Sequence, residues 1–178
     1  MLTIAVLIAG CDSGGGPPSA APRPAQTERA LAGSPPELAV LHRQASRLVG
    51  GGPKAFRTRL EALRGHPVVV NKWASWCAPC RSEFPFFQRV SVELGRRIAF
   101  LGVDSQDNDR DATGFLRRYR VSYPSYRDPD QKVARVFDAA LAFPTTAFYD
   151  ARGRLTYVHQ GAYATEAKLR EDIQRYAG

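Results

Sequence analysis

Two periods of apolar residues run through this chain, and they alternate. Pro67–Trp73 crowds β-branched side chains into a short run and predicts a buried strand, whereas Ser82–Leu94 spaces its apolar residues by three and four and predicts a helix. The alternation continues: a strand over Ile98–Val103, a helix over Asp109–Tyr119, a short strand over Tyr123–Tyr126 and a helix over Lys132–Asp138. Strands around Pro144 and Leu155, then a helix from Thr165, complete the pattern. Upstream, Pro53–Leu63 predicts a helix opened by proline near its first turn, and Glu37–Val49 has the spacing of a short helix packed on the domain. This order predicts one α/β unit, a central mixed sheet flanked by helices. Roughly 125 residues form one core and are too few for two domains.

The first residues break the pattern. From Asp12 to about Pro36 the chain is dominated by Gly, Pro, Ala and Ser, which bury too little apolar surface to order themselves; this predicts a flexible tether at 12–36. The domain is expected over 37–178, with its core at about 50–178. Leu2–Gly10 is apolar but far shorter than the roughly 18 residues needed to cross a bilayer. It ends in Leu7-Ile8-Ala9-Gly10-Cys11, which resembles a bacterial lipoprotein cleavage box, although no Lys or Arg precedes the apolar run. The resemblance implies a signal peptide over 1–11, a lipidated Cys11 and a membrane-anchored protein outside the cytoplasm.

The candidate chemistry lies just after the first strong strand, in Trp76-Cys77-Ala78-Pro79-Cys80. This places Cys77 where a helix begins. A helix N-terminus carries partial positive charge and free N–H groups, so a thiol there is depressed toward thiolate and becomes the nucleophile. Cys80, one turn on and on the same face, can reach back and resolve a mixed disulfide. A half zinc site would need further ligands, yet the other cysteine is Cys11, and His42, His66 and His159 are scattered without ligand spacing. A structural bridge closing so short a loop stabilises by only about 2 kcal/mol, which suits switching better than stapling.

Together with Arg81, Glu83, Pro85 and Asn71, this block resembles the TlpA/ResA branch of thioredoxin-like proteins, membrane-anchored thiol-disulfide oxidoreductases outside the cytoplasm. The resemblance covers about Gly52 to the end. Its second anchor is Phe143-Pro144-Thr145-Thr146-Ala147-Phe148-Tyr149-Asp150, similar to a family strand that opens with a cis-proline beside the cysteines. It implies a thioredoxin-like fold with an insertion at roughly Ser105–Asp130, and a substrate groove around Trp76, Ala78, Pro79, Phe143 and Pro144. Ala142-Phe143 stand where many relatives have a glycine and a small aliphatic residue. Asn71 occupies the place of a buried aspartate in ordinary thioredoxins, and an amide cannot accept that proton. Glu83, on the face of Cys80, is the candidate catalytic acid and base. Trp76 is expected to cover the nucleophile, Trp73 to lie in the core and Pro85 to kink its helix.

Charge adds little. The chain has 25 Lys and Arg against 17 Asp and Glu, a net +8. An extracytoplasmic redox domain meets no nucleic acid, so its helix-face arginines are expected to be solvated or to face anionic headgroups. The expected function is a reductase of protein disulfides needing no cofactor beyond its own dithiol. Apocytochrome c or a copper-assembly protein is the implied substrate and a membrane thiol the implied electron donor. A disulfide-forming oxidant, a peroxide-reducing enzyme and a Cu(I) chaperone are the alternatives; two thiolates suit Cu(I).

Overall fold

Residues 22–178 are described in the computed structural model of the protein. The cleavage-box reading at Cys11, the signal peptide and the first part of the tether lie outside them. The chain runs through α1 (Pro24–Leu31), α2 (Pro36–Arg43), β1 (Leu48–Val49), α3 (Gly52–Ala62), β2 (Val68–Trp73), α4 (Ala78–Leu94) and β3 (Ala99–Ser105). It continues through α5 (Asp109–Arg118), β4 (Ser125–Asp128), a 3-10 turn (Ala134–Phe137), β5 (Thr145–Tyr149), β6 (Leu155–Gln160) and α6 (Glu166–Tyr176).

The six strands form one mixed sheet in the order β1-β4-β3-β2-β5-β6. β1, β4, β3 and β2 are parallel, while β5 and β6 pair antiparallel. Every residue of β2 is buried, as a central strand covered on both faces requires. Its alternate side chains enter two cores. Val69 and Trp73 join Phe84, Phe87 and Phe115 on the α4 face; Val68 and Val70 join Leu38, Phe56 and Leu101 on the α3 face. The expected insertion contains α5 and β4, and β4 enters the sheet between β1 and β3.

Several boundaries differ from the sequence reading. The tether expected through Pro36 contains α1, whose Leu31 is buried and whose residues pack on α4. Counting Pro and Ala as tether composition missed that Ala25–Leu31 consists, Thr27 apart, of good helix formers behind an N-terminal proline. The helix expected over 37–49 stops at Arg43, and Leu48–Val49 become an edge strand paired with β4. The 132–138 helix is only a 3-10 turn, because Asp138 takes a left-handed conformation and ends it. The helix after Cys77 starts at Ala78, not Ser82, and runs through Pro85.

Gly102 shows how closely the sheet packs behind the site. A Cβ there would overlap Ser125 Oγ and lie 3.0 Å from the Trp73 indole nitrogen, which donates to Ser125 Oγ at 3.1 Å. Gly102→Ala is therefore expected to lower stability by about 1–3 kcal/mol, read as a shift in the urea midpoint. An unchanged midpoint would mean that the Trp73 layer gives way freely.

Candidate active site

The C-terminal ends of the parallel strands assemble the site. β2 ends at Trp73, and a tight turn through Ala74–Trp76 delivers Cys77 as the N-cap of α4. Pro79 lies in the first turn of the helix, where its missing N–H is harmless. Cys77 and Cys80 form a disulfide. The Cys80 backbone N–H donates to Cys77 Sγ at 3.1 Å, so the group that would hold a thiolate already points at this sulfur. Cys77 keeps 3% of its surface and Cys80 none; only Cys77 can be approached from outside.

Two segments frame the sulfurs. The turn before Cys77 is pinned by Asp107, which accepts the Ser75 N–H at 2.5 Å, and by Arg81, which donates to the Ser75 carbonyl at 2.9 Å. Trp76, expected to cover the nucleophile, is anchored on two sides. It is 54% exposed, donates its indole N–H to the Gln106 carbonyl at 2.8 Å, and lays its ring 5.0 Å from that of Phe143. The Phe143–Pro144 peptide is cis. Among the described residues the Phe143 backbone takes no hydrogen bond, which leaves it open to an extended partner. Trp73 lies in the core, stacked 4.7 Å from Phe115.

Behind the disulfide, Glu83 is fully buried. Its carboxyl accepts from Asn71 Nδ2 at 2.8 Å and from the Tyr163 N–H at 3.0 Å. Burial pushes it up to about 7, and these two donors only partly offset that rise. Asn71 Oδ1 and Thr146 Oγ1, on residues opposite each other in β2 and β5, have no partner. An Asn71 amide turned over could therefore accept from a protonated Glu83, so one side chain serves both protonation states.

The sequence reading missed Lys72. Its side chain is completely buried, yet it lies on the α3 face, opposite Glu83. Its ammonium donates to the carbonyls of Ala139 (2.6 Å), Ala140 (3.2 Å) and Ala142 (3.1 Å) and to Gln131 Oε1 (2.8 Å). The signal was present: a strand buried on both faces offers a lysine no solvent side, so Lys72 had to find acceptors. Among the described residues no group of three or more His, Cys, Asp or Glu side chains could hold a metal, and no helix is long and apolar enough to cross a membrane.

Comparisons with known proteins agree with this geometry. Residues 43–173 match the Redoxin family model. The chain is 32% identical over 130 residues to the thiol:disulfide interchange protein DsbE of Allochromatium vinosum, covering 71% of this chain and 70% of that one. It is 27% identical to the thiol-disulfide oxidoreductase ResA of Bacillus subtilis, covering 65% of this chain and 64% of the relative. The chain thus spans less than two thirds of that ResA. The solved structure of MTB DsbF, in mixed oxidised and reduced forms, superposes with a TM-score of 0.60 at 28% identity, over 65% of this chain and 84% of the other.

Proposed function

The chain belongs to the redoxin family, and from that premise we propose that it is an extracytoplasmic thiol-disulfide oxidoreductase that reduces disulfides of partner proteins. The observation carrying this reading is a helix-capping Cys77 in a closable pair with Cys80, flanked by an open Phe143 backbone and backed by the buried Glu83. In the reduced form the Cys77 thiolate attacks one sulfur of a substrate disulfide, breaking that bond and forming a mixed disulfide. Cys80 then gives its proton toward the Glu83 carboxylate, and its thiolate attacks Cys77 Sγ. The Cys77–Cys80 bond forms, the substrate sulfur that Cys77 had attacked leaves, and it and the sulfur expelled in the first step each take up a proton. Two electrons pass to the substrate, and an external thiol donor must return the pair to its reduced form. Asn71 cannot accept the Cys80 proton, which leaves Glu83 as the group with a suitable affinity.

Location outside the cytoplasm is supported by the resemblance of Leu7–Cys11 to a lipoprotein cleavage box. Lipidation at Cys11 would hold the domain at the membrane beside its electron donor. Apocytochrome c or a copper-assembly protein is the substrate class we infer, as the resemblance carried by the Cys77–Cys80 block implies.

The reduction potential of the Cys77–Cys80 pair, equilibrated against thiol buffers and read by alkylation, tests the direction. A value near that of thioredoxin, about −270 mV, is expected for a reductant; a value near −120 mV, like that of DsbA, would make the protein an oxidant.

A further inference from the structure

The segment leading into the cis Phe143–Pro144 peptide has few hydrogen bonds of its own to hold it. Ala139–Phe143 contains no polar side chain, and the exposed Leu141 keeps 95% of its surface. Apart from the Ala139 N–H on the Ala134 carbonyl and the Thr145 hydroxyl on the Ala142 carbonyl, the Lys72 ammonium is what collects it: three of its carbonyls converge on Nζ within 3.2 Å. The same Nζ lies 3.7 Å from the centre of the Phe143 ring, whose ring neighbour is Trp76 at the rim of the disulfide. Gln131 joins the arrangement from the far side; its Oε1 accepts from Lys72 and its backbone N–H donates to the carbonyl of Asp128. Every group within hydrogen-bond reach of Nζ is an acceptor, a setting that suits a cation and leaves a neutral amine with a lone pair facing carbonyl oxygens.

We propose that Lys72 is a positioning residue that builds the protein-docking edge of the active site, holding Phe143 and its open backbone in place for an extended substrate. This inference rests on the disulfide-reductase reading. With its carbonyls turned inward onto Nζ, the loop presents Leu141 and the Phe143 backbone outward. A small disulfide needs only Cys77, whereas a protein disulfide must also pair along this edge. Lys72 therefore discriminates between classes of substrate without touching the reacting sulfurs.

The test compares two probes in the reduced full chain carrying Cys11→Ala, so that two thiols react. Single-turnover oxidation is followed by tryptophan fluorescence with insulin as the protein disulfide and hydroxyethyl disulfide as the small one. Lys72→Met is expected to lower the ratio of insulin rate to hydroxyethyl disulfide rate about tenfold, with Lys72→Arg restoring part of it. An equal loss on both probes, or no change in the ratio, overturns the proposal while leaving the reductase reading intact. A wild type that reduces neither probe removes that reading and this inference with it.

The wild type gives an independent measurement should Lys72→Met fail to fold. Burial lowers Lys72 to about 8, with the attraction of Asp128 at the end of β4 working against that. Gln131, the Ala139–Phe143 segment and the neighbouring residues of β2, Val103 in β3 and Thr145 in β5, add no other charge around it. Asp138, just ahead of Ala139, is exposed. The ratio of the two wild-type rates should fall between pH 7 and 9, because ionisation of Cys77 affects both reactions alike and cancels. A flat ratio across that range contradicts the proposal.

Discussion

Replacing Cys80 with serine is expected to trap the protein on its substrate, and replacing Cys77 with serine to abolish exchange altogether. The asymmetry follows from position. Cys77 caps α4, receives the Cys80 N–H and alone of the pair reaches the surface, while Cys80, in the first turn of that helix, is completely buried. The thiolate is the nucleophile in disulfide exchange, and a serine hydroxyl at Cys77 provides none, so the insulin rate should fall to that of buffer alone. In Cys80→Ser the first attack survives but resolution does not. A mixed disulfide should then accumulate to near one equivalent and appear as a shifted band on non-reducing gels, removed by dithiothreitol. Trapping by Cys77→Ser with silence from Cys80→Ser would reverse the two roles and refute the reading of the helix N-terminus.

How much of this was legible before the structure depended on what each signal was made of. The strand-to-helix junction at Trp73–Cys77 was readable because a β-branched run, two cysteines and a proline converge on one turn, each for its own reason. The two-faced burial of β2 followed from its lack of alternation. The insertion between β3 and β5 was readable from the resemblance, but that β4 would enter between β1 and β3 was not, since pairing partners leave no mark on a single strand. β1 was lost because its two residues obey any period. α1 was lost because tether composition and helix propensity give opposite answers for Pro24–Leu31, and Leu31 decides between them only once α4 is there to bury it.

The site divides the same way. Glu83 could be placed on the face of Cys80 by counting residues, but its environment could not: full burial, the Asn71 amide and the Tyr163 N–H come from three distant parts of the chain. Composition favours a trans bond at Pro144, so only the family resemblance pointed to the cis form. Trp76 was expected to cover the nucleophile from its place in the chain, but the contacts that hold its ring, the Gln106 carbonyl in the loop after β3 and the Phe143 ring, come from distant segments. Lys72 was passed over as one polar letter in an apolar strand, although a lysine without a solvent face is the sort of local inconsistency that marks function.

Glu83→Gln is the substitution from which the largest pH-dependent change in stability is expected. Burial raises the carboxyl from its ordinary 4.5 to about 7 in the folded protein. The folded state therefore holds this proton more tightly than the unfolded chain does. Its contribution to stability is complete below about pH 4.5, declines as pH rises toward 7, and is absent above that. One pKa unit corresponds to about 1.4 kcal/mol, so the interval amounts to a loss on the order of 3 kcal/mol. Glutamine does not titrate. It can keep the Tyr163 N–H on its Oε1 and donate its amide to Asn71 Oδ1, the acceptor left unpartnered in the wild type. Urea melts of the oxidised proteins at pH 4.5 and 7.5 should accordingly show Glu83→Gln gaining on the wild type by that amount. Resolution of the mixed disulfide should meanwhile slow by about a hundredfold, because the Cys80 proton has lost its acceptor. A stability difference that does not change with pH would return Glu83 to an ordinary carboxylate and leave water to take the proton; a pH-dependent difference with undiminished resolution would make it a purely structural acid. The two readouts separate because stability reports the proton that Glu83 holds, whereas the resolving step reports the proton it receives.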